Sequence, residues 1–455
     1  MRLRAIGQGY EKYYQYQGNF SNQEWRNAMK TESRDILLQF YKDKIVLVTG
    51  HTGFKGTWLT RILLNAGAKV IGYSLPAPTN PNLFSIAGFE KYQRSGKFVN
   101  VVGDVRDLQE LGKIFQEYQP QIVFHLAAQP IVRDSYKEPV YTYETNVMGT
   151  VNILECIRQT ESVRSVVVIT TDKVYKNNEW IWGYRENEPL DGFDPYSNSK
   201  SCAELAVHSY CNSFFSSMDG TVDESTGKQK RYLAVCTARA GNVIGGGDFA
   251  NDRIIPDCVR ACEKALHEGL EEVVIGVRNP YSTRPYQHVL EPLAMYLTMA
   301  KAQWEDRSKA SCYNVGPDDE DCVTTGDLVT LFCDKWNDDH GEAIVSGKEV
   351  GSEKNDKYGD LYSKVEKANS TNLMQVTNAI KFPAARWENR AETNAPHEAN
   401  FLKLDSTKVK VMLGYHPRWH MDACVEKIVA FCRIYLAEPK KIPEEMDREI
   451  EEFFG

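Results

Sequence analysis

Tyr196 and Lys200, four residues apart in Tyr196-Ser197-Asn198-Ser199-Lys200, share one face if that segment is helical. An ammonium beside a phenol favours the phenolate, so the pair is expected to draw the tyrosine pKa toward neutrality and make Tyr196 a proton acceptor. Asp194-Pro195 directly upstream supplies a helix-capping residue followed by proline at the first helical position. A second run, Thr49-Gly50-His51-Thr52-Gly53-Phe54-Lys55-Gly56, follows the apolar stretch Ile45–Val48. Glycines spaced Gly-x-x-Gly-x-x-Gly where a strand turns into a helix let the backbone approach a pyrophosphate, whose charge meets the helix N-terminus. A dinucleotide and a base acting together suggest removal of a hydride and a proton from the same carbinol.

Two further groups of residues extend this site. Thr170-Thr171-Asp172-Lys173 follows the apolar run Val166–Ile169, at the carboxyl end of a strand, where ligands bind in open parallel sheets. Thr171 can donate a hydrogen bond to the oxygen being oxidised, Asp172 offers an acid, and Lys173 a cation or base. Arg253, Arg278, Arg284 and His288 lie further along the chain. Guanidinium forks match diphosphate oxygens, so this set suits a nucleotide-sugar. The second strand ends in Tyr73-Ser74-Leu75-Pro76, with neither a carboxylate for ribose hydroxyls nor an arginine for a 2′-phosphate, which leaves NAD and NADP both open. His51 either lies beside the pyrophosphate or points to solvent.

The elements needed to position these residues follow from the hydrophobic pattern. Strand-like runs occur at Ile45–Val48, Lys69–Tyr73, Phe98–Val102, Gln121–Leu126, Val163–Thr170 and Tyr232–Thr237. Helix-compatible stretches lie between them at Thr57–Asn65, 107–118, 139–160 and 195–215. Strands separated by helical crossovers predict an α/β protein, a doubly wound parallel sheet of the Rossmann type covered on both faces. Residues 1–40 read as an N-terminal extension and 41–240 as the dinucleotide-binding domain. Residues 241–455 read mainly as a smaller C-terminal substrate-binding lobe. Ser216–Lys230 and about 338–395 are polar, lack periodicity and read as inserted surface loops.

Composition narrows the possible partners. The 455 residues are 42% hydrophobic and carry 54 basic against 62 acidic side chains, a net charge of −8, with no dense basic run. Nucleic acid is therefore not an expected partner. No apolar stretch reaches the roughly 20 residues of a membrane span, and the first residues resemble neither a secretory signal nor a transit peptide. The expected setting is cytoplasmic, with no membrane partner. The eleven cysteines include no Cys-x-x-Cys pair, and Cys258 and Cys262, one helical turn apart, have no obvious histidine partners. They read as reduced thiols, and no metal site is expected.

These residues resemble the extended short-chain dehydrogenase/reductase family and, within it, the CDP-glucose 4,6-dehydratase branch. The likeness covers about 45–215, 231–330 and 395–435. Its most specific stretches are Val48–Gly56, Trp182-Gly183-Tyr184-Arg185-Glu186-Asn187-Glu188-Pro189, Asp194–Lys200, Arg239–Asp248 and Arg278-Asn279-Pro280-Tyr281. Further likeness runs from His397-Glu398-Ala399 through Leu402-Lys403-Leu404-Asp405 to His416-Pro417-Arg418-Trp419. The resemblance implies a tightly held NAD that is reduced and re-oxidised in each turnover. Gly50, Gly53, Phe54 and Gly56 would form its glycine cradle, with Tyr196 and Lys200 also near it. Asp104 and Val105 after the third strand and Leu126, Ala127 and Ala128 after the fourth would supply adenine and nicotinamide contacts. Asn242 joins the arginines as a substrate contact.

The implied chemistry starts with Tyr196 taking the proton of the sugar 4-hydroxyl as carbon 4 is oxidised. Loss of the carbon-5 proton with the 6-hydroxyl then expels water, with Asp172 as the acid, and hydride returns to carbon 6. Lys173 stands where related dTDP-glucose dehydratases carry a glutamate base. Burial would lower its pKa and Asp172 beside it would raise it, so the carbon-5 base stays open. The family also implies a homodimer built from the helices at about 139–160 and 195–215. A sugar-nucleotide epimerase, or a 4,6-dehydratase for another nucleotide-sugar, shares the first step and remains an alternative, as does a non-catalytic NAD-binding sensor.

Overall fold

A computed structural model describes residues 36–223, 226–338, 344–345, 378–391 and 401–455. Most of the expected N-terminal extension, two residues of the first inserted loop, most of the second and the segment His397-Glu398-Ala399 lie outside the described residues.

Seven strands form one sheet in the order β10-β6-β5-β4-β1-β2-β3. They are β1 (Ile45–Thr49), β2 (Lys69–Ser74), β3 (Phe98–Val102), β4 (Ile122–His125), β5 (Ser165–Ile169), β6 (Ala234–Ala240) and β10 (Cys312–Val315). All pairings are parallel, with Val48 opposite Gly72 on one side and Phe124 on the other. The order reverses at β1, between β2 and β4. A crevice opens at the carboxyl edge of such a switch point, beside the glycine loop.

Parallel strands buried on both faces read as continuous apolar runs, as in Val46-Leu47-Val48 and Val166-Val167-Val168, each residue 0–1% exposed. One face is covered by α1 (Phe54–Asn65) and α6 (Leu290–Glu305), the other by α2 (Leu108–Tyr118), α3 (Gly149–Gln159) and α4 (Pro195–Tyr210). Single π-helical turns, Glu144–Met148 before α3 and Cys211–Phe215 after α4, interrupt the helical stretches read from the sequence.

A second lobe is built from β7 (Asn242–Ile244), α5 (Ile254–Glu268), β8 (Glu272–Val277), β9 (Thr283–His288), β11 (Cys322–Thr324), α7 (Thr325–Asn337) and α8 (Met421–Ala437). The strands β11, β9 and β7 form a small sheet, and Cys258, Cys262, Ile275, Leu328, Phe332, Trp336 and Ile428 pack as its own apolar core.

The chain does not remain in this lobe after residue 240. α6 and β10 return to the large sheet, where Gln303 Nε2 of α6 donates to the Val166 carbonyl at 2.8 Å. α9 (Ile442–Phe454) packs behind α1. Residues expected as loop also join the fold. β14 (Ala384–Asn389) pairs in parallel with β8 along its whole length, while β12 (Ile344–Val345) pairs with β13 (Asn378–Ala379). Part of the expected extension is likewise structural: residues 36–41 are helical, Leu37 is buried, and Tyr41 donates its hydroxyl proton to the Leu297 carbonyl at 2.6 Å.

Candidate active site

The glycine loop joins β1 to α1 at the crevice. Gly50 has φ +73°, and a Cβ there would lie 2.7 Å from the Ala127 backbone nitrogen; one on Gly56 would lie 2.1 Å from the Gly50 carbonyl oxygen. These two glycines let three backbone segments close on one another. At Gly53 a Cβ would meet nothing nearer than the Gly50 oxygen at 3.4 Å, so the outer side of the turn is open. Gly53 caps α1 without a side-chain hydrogen bond, and the helix therefore presents its N-terminal N–H groups and dipole on that open side. This cradle fits a dinucleotide pyrophosphate. α1 begins at Phe54 rather than Thr57, because Gly56 costs helix propensity yet is required by the close approach to Gly50.

His51 does not reach solvent. Its side chain is buried, with Nε2 2.7 Å from Asn100 Oδ1 and its ring edge-on to Phe84 and Phe98. Burial lowers its pKa to about 4, against the opposing pull of Asn100. The space for the ring is made by Gly72, where a Cβ would lie 2.5 Å from the imidazole. Leu126, Ala127 and Ala128 are half-buried beside the cradle, and Ala127 N donates to Thr49 Oγ1 at 3.2 Å.

Beyond β3, Asp104 binds Arg106 at 2.7 Å, and Arg106 also reaches Glu144 at 3.3 Å. The Val105 side chain is buried against Gly149, so a ligand contact from this residue would have to be made by its backbone.

Thr171, Asp172, Lys173, Tyr196 and Lys200 converge at the ends of β5 and α4. Thr171 Oγ1 donates to Asp172 Oδ1 at 2.9 Å, accepts from Lys173 N at 3.4 Å, and lies close to the Tyr196 phenol. Lys173 Nζ reaches Asp172 Oδ1 at 3.3 Å and Asn242 Oδ1 at 3.4 Å. Asp172 is 1% exposed, and its second oxygen, Oδ2, is buried without a hydrogen bond. Asp194 fixes the start of α4, accepting from Ser197 N at 3.0 Å and Ser197 Oγ at 2.6 Å.

The expected lowering of the Tyr196 pKa is not what this arrangement produces. Burial pushes the phenol up to about 12, opposed by the Thr171 hydrogen bond and the Arg253 charge. Lys200 instead donates to the Ile169 carbonyl at 3.1 Å, and burial brings its own pKa down to about 8.

The arginines are dispersed along the second lobe. Arg253, at the N-terminus of α5, pairs with Asp248 at 3.1 Å and is near enough to act electrostatically on Tyr196. Arg278 is half-exposed and bridges Asp252 at 2.7 Å and Asp257 at 3.4 Å. Arg284 is buried on β9 and donates to the Thr283 carbonyl at 3.0 Å. His288 is not part of the cleft. It is fully buried, 3.5 Å from Glu449 of α9 and edge-on to Trp419, and burial lowers its pKa to about 3.

Two residues of the site were not singled out in the sequence. Lys55 is half-buried among the charges of Arg253, Lys200, Asp172 and Asp248; burial and then the two cations bring its pKa to about 7. Its place inside the glycine run was the available signal. Glu204 is one helical turn beyond Lys200 on the same face of α4, and the continued spacing of four was its signal.

A seven-stranded parallel sheet, a glycine cradle at its switch point and a Tyr-x-x-x-Lys helix define a short-chain dehydrogenase/reductase of the extended, two-lobed type. The profile of the GDP-mannose 4,6 dehydratase family matches residues 47–428, and the chain belongs to that family. It is 42% identical over 398 residues to a CDP-glucose 4,6-dehydratase of Salmonella typhimurium, covering 87% of this chain and 92% of that one. A CDP-paratose 2-epimerase of Salmonella typhi is 32% identical over 320 residues, covering 65% of this chain and 85% of its own.

Among solved structures, an epimerase from Methanothermobacter thermautotrophicus superposes with a TM-score of 0.62 at 18% identity, covering 89% of this chain and 97% of its own. A dTDP-glucose 4,6-dehydratase of Bacillus anthracis, solved with NAD, has a TM-score of 0.57 at 18% identity, covering 86% and 96%. At these identities the structures show the shared fold.

Proposed function

We propose that this chain is an NAD-dependent nucleotide-sugar dehydratase that converts CDP-glucose to CDP-4-keto-6-deoxyglucose. The observation that carries the chemistry is the convergence of Tyr196 with Thr171 and Asp172 at the end of β5, where one buried Asp172 oxygen has no hydrogen bond. The 42% identity to the Salmonella typhimurium enzyme over nearly the whole chain supports the choice of sugar and base.

Gly50, Gly53, Phe54 and Gly56 are the residues that would hold NAD, with the backbone near Asp104 and Val105 and the segment Leu126–Ala128 flanking it. Arg106, the guanidinium after β3, is engaged by Asp104 and Glu144, which supports NAD over a 2′-phosphorylated dinucleotide. When bound, NAD supplies the hydride acceptor for carbon 4 and the donor for carbon 6.

In this reading Thr171 and Tyr196 orient the 4-hydroxyl, and the Tyr196 oxygen takes its proton. The 4-ketone acidifies carbon 5. Asp172 Oδ2 protonates the leaving 6-hydroxyl, so that water departs across carbons 5 and 6. Lys173, held by Asp172 and Asn242, would take the carbon-5 proton and give it back to carbon 5 once carbon 6 has received its hydride. Arg253, Arg278 and Arg284 would face the diphosphate. Exposed Val140, Tyr143, Met148, Leu205 and Phe214, on the two helical stretches expected at the interface, support a homodimer. Free thiols at all eleven cysteines suit a cytoplasmic setting. No helix among the described residues is long and apolar enough to cross a membrane.

The test is to supply CDP-, dTDP-, UDP- and GDP-glucose with NAD and identify the products. Formation of a 4-keto-6-deoxy product from the CDP-sugar is expected; an epimerised sugar, or turnover of another nucleotide-sugar alone, would replace this reading.

A further inference from the structure

Glu204 is buried on α4, 4% exposed, and both of its oxygens accept hydrogen bonds from the end of β5 and from β6. Thr170 Oγ1 donates to its Oε1 at 2.5 Å, while Thr237 Oγ1 at 2.8 Å and Arg239 Nη2 at 2.9 Å both donate to its Oε2. Arg239 is itself fixed by the Tyr175 hydroxyl at 2.9 Å and the Glu186 carbonyl at 3.0 Å.

The gripped residue lies between two others that matter. Ile169 offers the carbonyl that accepts from Lys200, and Thr171 carries the hydroxyl beside Tyr196. Tyr196, Lys200 and Glu204 repeat every four residues along α4, opposite the consecutive residues 169, 170 and 171 of the strand end. One carboxylate therefore sets the spacing between the helix carrying the phenol and ammonium and the strand carrying their partners.

We infer that Glu204 is a positioning residue: by holding Thr170, and through its charge one turn from Lys200, it aligns Tyr196 and Lys200 and keeps Lys200 protonated for the proton-transfer step. The inference rests on the reading of Tyr196 and Lys200 as the base pair. The other ionisable groups facing Lys200 are Tyr196 on the same helix, Lys55 from α1 and His125 from β4. Burial, with Lys200 adding to it, lowers His125 to about 3, so it is neutral where the enzyme works. Glu204 is then the anion that sustains the Lys200 charge against burial.

Two measurements test this. In Glu204→Gln, the alkaline limb of the kcat–pH profile, where Lys200 loses its proton, should move about one pH unit lower, with KM changed less than about two-fold. In the protein without dinucleotide, the pH midpoint for acylation of Lys200, read by mass spectrometry, should move in the same direction. Should Glu204→Gln fail to fold because Arg239 is stranded, Glu204→Gln/Arg239→Met removes both buried charges, and shifts in the same direction but smaller are expected of it, because a cation leaves with the anion. Thr170→Val, which keeps both charges, should lower kcat at least about ten-fold with KM held, by loosening the strand end.

An unmoved limb and an unmoved acylation midpoint in a folded Glu204 variant would overturn the inference and leave Glu204 a purely structural residue. Full turnover in Tyr196→Phe would instead overturn the underlying reading, so the two failures are told apart.

Discussion

At the scale of single residues, the site is governed by what burial does to charge. Tyr196 has its pKa at about 12, so its phenol is a reluctant base, while Lys200 at about 8 still carries most of its proton at neutral pH. Ionisation of Tyr196 is then opposed by burial and favoured by the neighbouring Thr171 hydroxyl and the Arg253 charge. Replacing Tyr196 by Phe removes the proton acceptor but leaves nearly the same apolar volume. Turnover is expected to drop by about 100-fold or more, as for loss of a general base, while CDP binding measured by calorimetry stays close to that of the native chain. Retained turnover would remove the phenol from the mechanism. The sequence pattern carried the identity of these residues but not their ionisation. Spacing shows which groups share a face, whereas desolvation depends on side chains from β5, β6 and α5 that reach the site from distant segments.

At the scale of elements, the alternating strands and helices up to β6 were legible because each buries a face with a simple period. The elements that were missed lack that signal. β14 alternates exposed and buried residues weakly in Ala384–Asn389, and its partner β8 lies more than a hundred residues earlier, so it read as loop. His288 ends β9, the strand that also carries Arg284, which suggests a ligand contact, yet α9 covers it with Glu449. The glycine loop offers the sharpest test at this scale, because its glycines have different neighbours. In Gly56→Ala the new methyl would meet the Gly50 oxygen at 2.1 Å, forcing the loop off α1. A lower melting temperature and loss of NAD binding by titration are expected together. In Gly53→Ala the nearest atom is 3.4 Å away, so the fold is expected to hold while the methyl intrudes on the pyrophosphate cradle and weakens NAD binding alone. Equal effects of the two substitutions on melting would contradict the cradle as described.

At the scale of the whole molecule, the two ends of the described chain close on the back of the cofactor-binding half. The helical residues 36–41 pack by Tyr41 onto α6, and α9 packs onto α1, the helix whose N-terminus forms the cradle. The second closure is polar. Arg61 of α1, 1% exposed, binds Asp447 of α9 through Nε at 2.7 Å and Nη2 at 2.5 Å, and also donates to the carbonyls of Ala87 and Pro443. Asn65 Nδ2 adds a third bond to Asp447 at 2.7 Å. A buried guanidinium left without its carboxylate costs about 3–5 kcal/mol; because the Asp447 side chain is 30% exposed, water screens part of this, and Asp447→Asn is expected to cost about 1–3 kcal/mol in urea unfolding at neutral pH. Burial raises the Asp447 pKa, but Arg61 and Asn65 outweigh it and hold the carboxyl below its usual 3.8. A depressed folded pKa means that the pair's contribution is complete above 3.8 and is lost as pH falls through the lower folded value. The stability gap between the native chain and Asp447→Asn should therefore be constant from neutral pH down to about 5 and close below 3.8. A gap that persists unchanged in strong acid would mean that Asp447 holds α9 by shape and not by charge.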